Sequence, residues 1–307
     1  MLILFRFLSR WPLAWLHRLG TLLGWLTWLL SPTYRRHLQQ NLSLALGAET
    51  AARIRKTVIA EAGKTVLELP KIWLRPLSET ARQVVRISGW ELFETARQRR
   101  QGILFMTPHL GCFEITAQYV STHAPVTVLY RPPKQTWLQR LIEIGRVREQ
   151  LHIAPADLSG VRILLKALKR GEAVGMLPDQ APKTGQGVWL DFFGKPAYTM
   201  TLAARLTQSG ATPIMIWAER LPAGTGYHLH LRAPLRQITG TLEERTQQIN
   251  HEIEDLIRLC PEQYLWGYNR YKGSRGSRKE SSDRPSALDN KPAMPPPVES
   301  DSADERR

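Results

Sequence analysis

Hydrophobic side chains dominate the first thirty residues, where positive charge enters only at arginines. Arg6, Arg10 and His17 fall on one narrow face of a helical wheel, and tryptophan and leucine cover most of the rest. The longest stretch without a charged residue or a histidine, 19–34, covers roughly 24 Å at about 1.5 Å per residue, less than a bilayer core of about 30 Å. The pattern predicts a membrane-anchor helix over 1–30 that lies in the interface or spans marginally, with a buried core helix as the alternative.

Apolar runs then alternate with segments of helical period. The runs predicted as strands are 82–88, 102–107, 125–130, 172–178, 211–217 and 227–233, with a weaker candidate at 151–155. The predicted helices are 50–69 (ending at Pro70), 90–100, 113–123, 136–149, 158–170, 199–209 and 241–260. The alternation favours an α/β fold with a mixed, largely parallel sheet flanked by helices. The Gly-rich segment PAGTGY predicts an antiparallel hairpin at one edge of that sheet.

The C-terminal segment differs in composition from the rest of the chain. Residues 273–307 are rich in Ser, Pro and charge and have no apolar periodicity, which is typical of a disordered tail. We therefore expect a membrane anchor over 1–30, a folded domain over 31–272 and a tail over 273–307.

Positive charge exceeds negative charge throughout the folded part of the chain. The 307 residues include 42 Lys and Arg against 27 Asp and Glu, a net charge of +15. This excess points to an anionic partner such as a nucleic acid, an acidic membrane surface, a phosphorylated substrate or an acidic carrier protein. The sequence contains no recognised nucleic-acid-binding motif, so we expect no nucleic acid. Two cysteines exclude a disulfide scaffold and a cysteine-based zinc finger.

The segment ILFMTPHLGCFE, residues 103–114, lies where a predicted strand meets a predicted helix. It places His109 at a strand end, which is where open α/β sheets bind their ligands. Glu114 can fold back across the turn at Gly111 onto the imidazole, which would fix the tautomer and leave the other nitrogen free as a base. Unliganded amides at the helix start could also hold an oxyanion or a phosphate. The two residues are therefore candidate catalytic groups.

Polar residues also follow two other predicted strands. Arg131 and Lys134 are candidate phosphate ligands, because arginine offers a planar fork and lysine a point charge; a solvated basic face is the alternative. Asp179 and Gln180 end the strand EAVGMLP and could position a substrate hydroxyl or the catalytic loop. For Asp179 the alternative is an N-cap or turn residue.

Three weaker signals remain. Gly185 and Gly187 in KTGQGVW would allow close backbone approach to a substrate, although the segment is neither a dinucleotide-binding nor a Walker loop. Cys112 raises the possibility of a Cys–His acyl-enzyme, but we expect a small apolar role for it. His228 and His230 share one strand face, which we expect to be exposed; they could bind a metal, but no carboxylate or thiolate cluster accompanies them in sequence. We therefore predict no metal site.

Several spaced motifs resemble one known family. HLGCFE resembles the H-x4-D/E signature of glycerolipid acyltransferases. Three more segments resemble the bacterial lipid A late acyltransferases, the lauroyl/myristoyl transferases of lipopolysaccharide synthesis: YRPPK (130–134), GMLPDQAPKTGQGVWLDFFGKPAYTM (175–200) and PEQYLWGYNRYK (261–272). The N-terminal apolar segment followed by YRRHLQQNL also fits, so the resemblance covers about 1–272. Cys112-Phe113 departs from the Asn-Trp of many members, which bears on acyl-chain or acceptor preference.

The resemblance implies an acyltransferase domain over 31–272 with a glycerolipid-acyltransferase-like fold. It implies transfer of an acyl chain from acyl carrier protein, or from coenzyme A, to a hydroxyl of a phosphorylated lipid A precursor at the cytoplasmic face of the inner membrane. His109 would be the general base and Glu114 its orienting group. Arg146 matches a further arginine of the family's site, and Asp179 and Gln180 match its third motif. No cofactor is expected.

Three alternatives remain open. A lysophospholipid or other glycolipid acyltransferase would use the same His and Glu residues on a different acceptor. A hydrolase would release free fatty acid without an acceptor. A non-catalytic basic protein that binds membrane or nucleic acid would retain its function after His109→Ala.

Overall fold

The computed structural model describes residues 2–133 and 135–272. Lys134 and the predicted tail over 273–307 lie outside the described residues.

The described residues form helices on both sides of a central sheet. The α-helices are α1 Leu2–Ser9, α2 Leu13–Leu30, α3 Pro32–Leu46, α4 Ala48–Leu74, α5 Leu77–Ala81, α6 Trp90–Arg99, α7 Phe113–Val120, α8 Thr136–Arg146, α9 Leu158–Lys169, α10 Leu202–Leu206 and α11 Leu242–Leu259. The strands are β1 Val84–Ser88, β2 Ile103–Met106, β3 Val126–Tyr130, β4 Leu151–Pro155, β5 Ala173–Met176, β6 Gly187–Phe192, β7 Lys195–Met200, β8 Thr212–Arg220 and β9 Tyr227–Arg232.

The central sheet has seven strands in the order β1-β9-β8-β2-β5-β3-β4. The strands β8, β2, β5, β3 and β4 run parallel to one another. β9 is antiparallel to β8, and β1 is parallel to β9. The mixed, largely parallel sheet flanked by helices is therefore confirmed, including the weaker strand candidate that became β4. The predicted hairpin also forms, but it does not lie at the edge, because β1 pairs with the outer side of β9.

The N-terminal apolar segment forms two helices rather than one. Pro12 has an extended backbone, with φ −56° and ψ 141°, between α1 and α2. Proline lacks an N–H and disfavours the helical conformation in the residue before it, so the helix is interrupted there. Lys71 Nζ donates to the carbonyl oxygen of Trp11 at 3.0 Å, which satisfies one group at the break. The prediction of one continuous helix over 1–30 was therefore wrong.

Helix α4 continues past the proline at which the sequence predicts its end. Pro70 lies inside the helix, which reaches Leu74. A proline in a helix interior costs about 3 kcal/mol. The residues that follow, Ile72 and Trp73, are almost completely buried. Burial of such side chains stabilises by about 1.5–3 kcal/mol each, enough to hold the last turn.

A two-stranded hairpin of β6 and β7 was not predicted from sequence. It occupies the positions at which the predicted helix over 199–209 was to begin, so α10 starts only at Leu202. Phe193 and Gly194 both have positive φ, as a two-residue hairpin turn requires. Pro196 obscures the signal in sequence, because proline is tolerated only in edge strands or at strand starts.

Helix α2 packs closely along α4. A Cβ on Gly63 would collide with the carbonyl oxygen of Gly20 and with the backbone of Gly24, so the two helices touch through their main chains. The opposite side of α2 is exposed and apolar, with Trp15, Leu22, Leu26, Leu29 and Leu30. Within the described residues, no helix combines the length and apolar character needed to cross a membrane. The assignment of 1–30 as an anchor stays a prediction.

One buried guanidinium joins α4 to the sheet. Arg220, near the end of β8, donates from Nε and Nη2 to the two carboxylate oxygens of Glu68 at 2.8 Å each. It also donates to Thr65 Oγ1 at 2.6 Å and to Glu61 Oε2 at 3.3 Å. Burial alone would raise the pKa of Glu68, but the charge of Arg220 and hydrogen bonds from His17 and Arg220 outweigh it and lower the pKa to about 2. The carboxylate is therefore ionised inside the protein.

Removal of the guanidinium should be strongly destabilising. We expect Arg220→Met to lower the free energy of unfolding by about 3–5 kcal/mol, because it leaves Glu68 buried without its counter-charge. Denaturant unfolding followed by tryptophan fluorescence measures the change. The control is Arg170→Met, which removes the exposed pair of Arg170 with Glu172 and should change stability little. Equal effects of the two substitutions would contradict the assigned role of Arg220.

Candidate active site

Two neighbouring parallel strands bring the central residues of the site together. His109 follows β2 and Asp179 follows β5, and these strands pair in register from Ile103 with Ala173 to Met106 with Met176. Their carboxyl ends therefore lie side by side. This is the edge at which open α/β sheets bind ligands.

Asp179 holds the imidazole of His109. The Nδ1–H of His109 donates to Asp179 Oδ1 at 2.8 Å, and the backbone N–H of His109 donates to Oδ2 at 3.0 Å. The Asp179 side chain is 1% exposed. Burial alone would raise the pKa of this carboxyl, but interaction with His109 outweighs burial and the pKa is lowered. An ionised Asp179 on Nδ1 leaves the Nε2 lone pair available as a base.

Gln180 contacts the second ring nitrogen. Its Nε2 lies 3.1 Å from His109 Nε2. Because Nδ1 carries the proton that Asp179 accepts, the amide donates and the imidazole accepts. The contact places a side-chain donor beside the candidate base.

Glu114 does not take the position that the sequence predicts for it. Its carboxylate accepts hydrogen bonds from Nε and Nη2 of Arg146 and from Trp73 Nε1, the last at 3.0 Å. The orienting contact on His109 is made by Asp179 instead. Glu114 therefore binds α7 to α8 and α4, and the predicted Glu114–His109 pair is corrected to an Asp179–His109 pair.

Backbone contacts hold the loop between His109 and α7. Gly111 has φ +58°, and a Cβ there would collide with the carbonyl oxygen of Ala218, so glycine is required. Gly111 N–H donates to the Gln263 carbonyl at 3.1 Å, and Cys112 N–H donates to the Ala218 carbonyl at 2.8 Å. These two amides are therefore not free to bind an oxyanion. In addition, Arg220 Nη2 donates to the Gly111 carbonyl at 2.7 Å, which connects the loop to the buried ion cluster.

Cys112 is packed in the core. Its side chain is 1% exposed and belongs to the apolar cluster behind α7. Burial and the nearby Glu68 carboxylate raise the pKa of its thiol well above the usual value. A protonated, inaccessible thiol cannot act as a nucleophile, in agreement with the apolar role expected for it.

A cavity of about 620 Å³ opens beside His109. This volume lies within the range of about 300–1,000 Å³ that is usual for ligand sites. Its apolar wall includes Phe113, Leu129, Leu158, Val161, Leu177, Met200 and Leu202. The cavity can therefore accept an apolar chain next to the candidate base.

Arginines contribute the positive charge of this cavity, which the acidic side chain of Asp157 also lines. Arg131, Arg146 and Arg205 line it, and Arg131 and Arg205 are exposed. No sequence motif marks Arg205 in α10 as a site residue, so the sequence did not predict that it lines the cavity. Gly187 starts β6, where its N–H donates to Tyr198 Oη at 3.1 Å, and it does not line the cavity; Gly185 does.

The segment after α11 contacts the backbone of His109 and the loop after β5. The sequence did not predict any individual site residue in this segment. Leu265 N–H donates to the carbonyl of His109 at 3.1 Å. Burial raises the pKa of Tyr264 well above its usual value, and the Asp179 carboxylate raises it further, so Tyr264 stays a neutral hydroxyl beside that carboxylate. Tyr268 Oη accepts from the N–H of Ala181, which follows Gln180. The motif PEQYLWGYNRYK was the available signal.

Comparison with known proteins gives one consistent result. Residues 1–273 match the protein-family model described as bacterial lipid A biosynthesis acyltransferase. The chain is 28% identical over 272 residues to the lipid A biosynthesis lauroyltransferase of Escherichia coli (strain K12), covering 85% of this chain and 86% of the relative. It is 26% identical over 242 residues to the lipid A biosynthesis palmitoleoyltransferase of the same strain, covering 76% and 77%. A lipid A biosynthesis acyltransferase of Haemophilus influenzae is 25% identical over 279 residues, covering 85% of each chain.

The lowered pKa of Asp179 predicts a pH dependence of stability. The carboxylate stabilises the fold fully above its unfolded-state pKa, near the ordinary value of 3.8, and this contribution is lost as the pH falls through the lower folded-state pKa. We therefore expect the melting temperature of the wild type to fall more steeply below about pH 4 than that of Asp179→Asn. Thermal unfolding at pH 7, 5, 4 and 3 measures it. The exposed Asp191→Asn should keep the wild-type slope; parallel curves for wild type and Asp179→Asn would contradict the assignment.

Proposed function

Because the chain belongs to the bacterial lipid A biosynthesis acyltransferase family, and is therefore an O-acyltransferase, we propose that it transfers a fatty acyl chain from an acyl thioester to a hydroxyl of a phosphorylated lipid A precursor. The observation that carries the mechanism is the Asp179–His109 pair at the cavity wall. It supports His109 as the general base.

The proposed step requires one proton transfer in each direction. The acceptor hydroxyl replaces the Gln180 amide on His109 Nε2 and gives its proton to that nitrogen as its oxygen attacks the thioester carbonyl. The carbon–sulfur bond then breaks, the imidazolium returns the proton to the thiolate, and an ester and a free thiol result. Asp179 stabilises the imidazolium through Nδ1. Because a thiol is already a good leaving group, the step needs neither an acyl-enzyme nor a cofactor.

The amide of Gln180 and the guanidinium of Arg146 are the proposed stabilisers of developing charge. Gln180 Nε2 lies within hydrogen-bonding distance of the ring, so it can turn towards the carbonyl oxygen when the acceptor displaces it. Glu114 holds Arg146 at the cavity in a bidentate pair. We thus assign Glu114 as a positioning residue for Arg146 rather than as the partner of the base.

The exposed arginines are proposed to bind phosphate groups. Arg131 and Arg205 line the cavity, and neither is buried, so each can meet an acceptor or donor phosphate at its mouth. Lys134 stays a predicted phosphate ligand. The same positive charge suits an acidic carrier protein, which we propose as the donor, and it would equally suit the phosphates of coenzyme A.

The N-terminal helices are proposed to place the enzyme on the cytoplasmic face of the inner membrane. Helix α1 also exposes apolar residues, which include Ile3, Leu4 and Phe7. Arg6, Arg10 and Arg18 are exposed nearby, where they can meet anionic headgroups. An apolar face with flanking arginines supports insertion of the two helices into the interface.

The acyl transfer is tested by mass spectrometry. Purified protein is mixed with acyl carrier protein carrying chains of different length and with a phosphorylated lipid A precursor. We expect a mass gain of one acyl group, and a loss of rate of about 10²–10⁴-fold in both His109→Ala and Asp179→Asn, because both remove the oriented base. Glu114→Gln should lower kcat with little change in KM, since Arg146 is freed and its stabilisation of the developing charge is lost.

The controls separate the alternatives. Asp191→Asn, an exposed carboxylate, should retain wild-type activity. Transfer to a lysophospholipid but not to the lipid A precursor would show that the acceptor is a lysophospholipid instead. Release of free fatty acid alone would indicate a hydrolase, and equal activity of wild type and His109→Ala would reject the proposed base.

Vesicle sedimentation tests the membrane contact. Leu22→Glu/Leu26→Glu should weaken binding to anionic phospholipid vesicles by tenfold or more, because burial of one leucine stabilises by about 1.5–3 kcal/mol and about 1.4 kcal/mol is tenfold. The matched control is Leu235→Glu/Leu259→Glu, which alters exposed leucines outside α1 and α2. Equal loss in both pairs would contradict a specific role for the α2 stripe.

A further inference from the structure

The hairpin of β8 and β9 collects three metal-binding side chains on one face of the sheet. His228 and His230 alternate along β9, and Glu219 of β8 is paired directly with His228. In sequence the two histidines had no carboxylate partner; the antiparallel pairing supplies one. The face is also less open than expected, because His228 is 8% exposed.

The spacing of the three side chains suits one small cation. Each offers a ligand atom, and these atoms all lie within 4.8 Å of one another. His230 Nε2 and Glu219 Oε2 are 3.1 Å apart. Two ligands on a tetrahedral zinc ion, each about 2.0 Å from the metal, are separated by about 3.3 Å. One pair already has this separation, and the third ligand needs only a small side-chain movement.

Neighbouring side chains fix the two rings. The indole of Trp217 stacks on His230 with a centroid distance of 4.4 Å and an interplanar angle of 5°. Ser88 Oγ lies 2.8 Å from His228 Nε2. Oriented imidazoles with a partner on the second nitrogen are typical of metal sites.

We propose that Glu219, His228 and His230 bind one divalent transition-metal ion, with Zn²⁺ as the best match. Two imidazoles and one carboxylate are a usual zinc donor set, and the fourth position is left for water. Mg²⁺ prefers oxygen ligands in octahedral geometry and is a poor match. The exposed Arg86 of β1 is the opposing charge at this face, and the Glu219 carboxylate offsets it.

The ion would act on stability rather than on the acyl-transfer chemistry. Ala218, between Trp217 and Glu219, accepts the hydrogen bond from Cys112 N–H in the loop after His109. A metal that joins β8 to β9 therefore stiffens the strand on which that loop rests. The inference does not depend on the proposed function.

Calorimetric titration of ZnCl₂ into the full-length, EDTA-treated protein in detergent tests the site. We expect one Zn²⁺ per chain, a rise in melting temperature with Zn²⁺ and no response to Mg²⁺. Glu219→Gln and His230→Gln should each bind Zn²⁺ at least tenfold more weakly, since loss of even an outer partner of a metal ligand costs about 10–100-fold. Circular dichroism spectra and acyltransferase activity in EDTA serve to check that both variants are folded.

Two histidine variants serve as controls. His152→Ala removes an exposed histidine from β4, at the far edge of the sheet, and should retain the zinc equivalent. His109→Ala should also retain it. Loss of the equivalent in His109→Ala with retention in His230→Gln would place the ion at the catalytic residues and overturn the proposal, as would wild-type affinity in both Glu219→Gln and His230→Gln.

Discussion

The buried charge pair of Arg220 and Glu68 is the interaction on which the rest of the structure depends. The guanidinium of Arg220 reaches from the sheet to α4 and at the same time holds the carbonyl oxygen of Gly111. His17 of α2 and the Tyr227 hydroxyl contact the same Glu68 carboxylate, at 3.4 and 3.0 Å. An ion pair removed from water is stable only when its remaining donors and acceptors are satisfied, and here they are shared among the helices, the sheet and the loop after His109. Helices α2 and α4 and the loop after His109 are therefore parts of one electrostatic unit.

The geometry of the candidate site is a consequence of strand order. β2 and β5 are neighbours although about 70 residues separate His109 from Asp179 along the chain. Parallel pairing delivers a carboxylate to Nδ1 of the imidazole and an amide to Nε2 from consecutive residues of the β5 loop. Glu114, five residues from His109, is directed by α7 towards Arg146 instead. The residue nearest in sequence and the residue nearest in space thus have different tasks.

Local sequence patterns were sufficient to predict the strands of the central sheet, but they were insufficient to predict which side chains contact one another. The apolar runs predicted all seven strands of the central sheet, including β4, and the hydrophobic signal is strongest in β2, β5 and β8, which are mostly buried. The helix predictions were wrong at Pro12 and at Pro70, in opposite ways. The helix is interrupted at Pro12, where it was predicted to continue, and it continues through Pro70, where it was predicted to end. The free-energy cost of a proline interrupts a helix only where packing does not offset that cost. His109, Arg131, Arg146, Asp179 and Gln180 line the cavity or hold its candidate base, but the pairing of Glu114 with His109 rested on their spacing and on the resemblance to a family signature. Arg205 reaches the cavity only through the packing of α10, and Glu219 meets the two histidines only through the register of the β8–β9 pairing, neither of which a local pattern reports.

The contact of Gly20 and Gly24 with Gly63 has a consequence for orientation. Helices that touch through their backbones cannot roll about their axes, so α2 always presents the same stripe of leucines away from the body of the protein. A protein resting on a flat apolar surface by that stripe would have a fixed pose, with its cavity at a constant height and angle. An acceptor lipid would then reach the base by lateral diffusion within a plane, and the relevant substrate concentration would be a surface density rather than a bulk molarity.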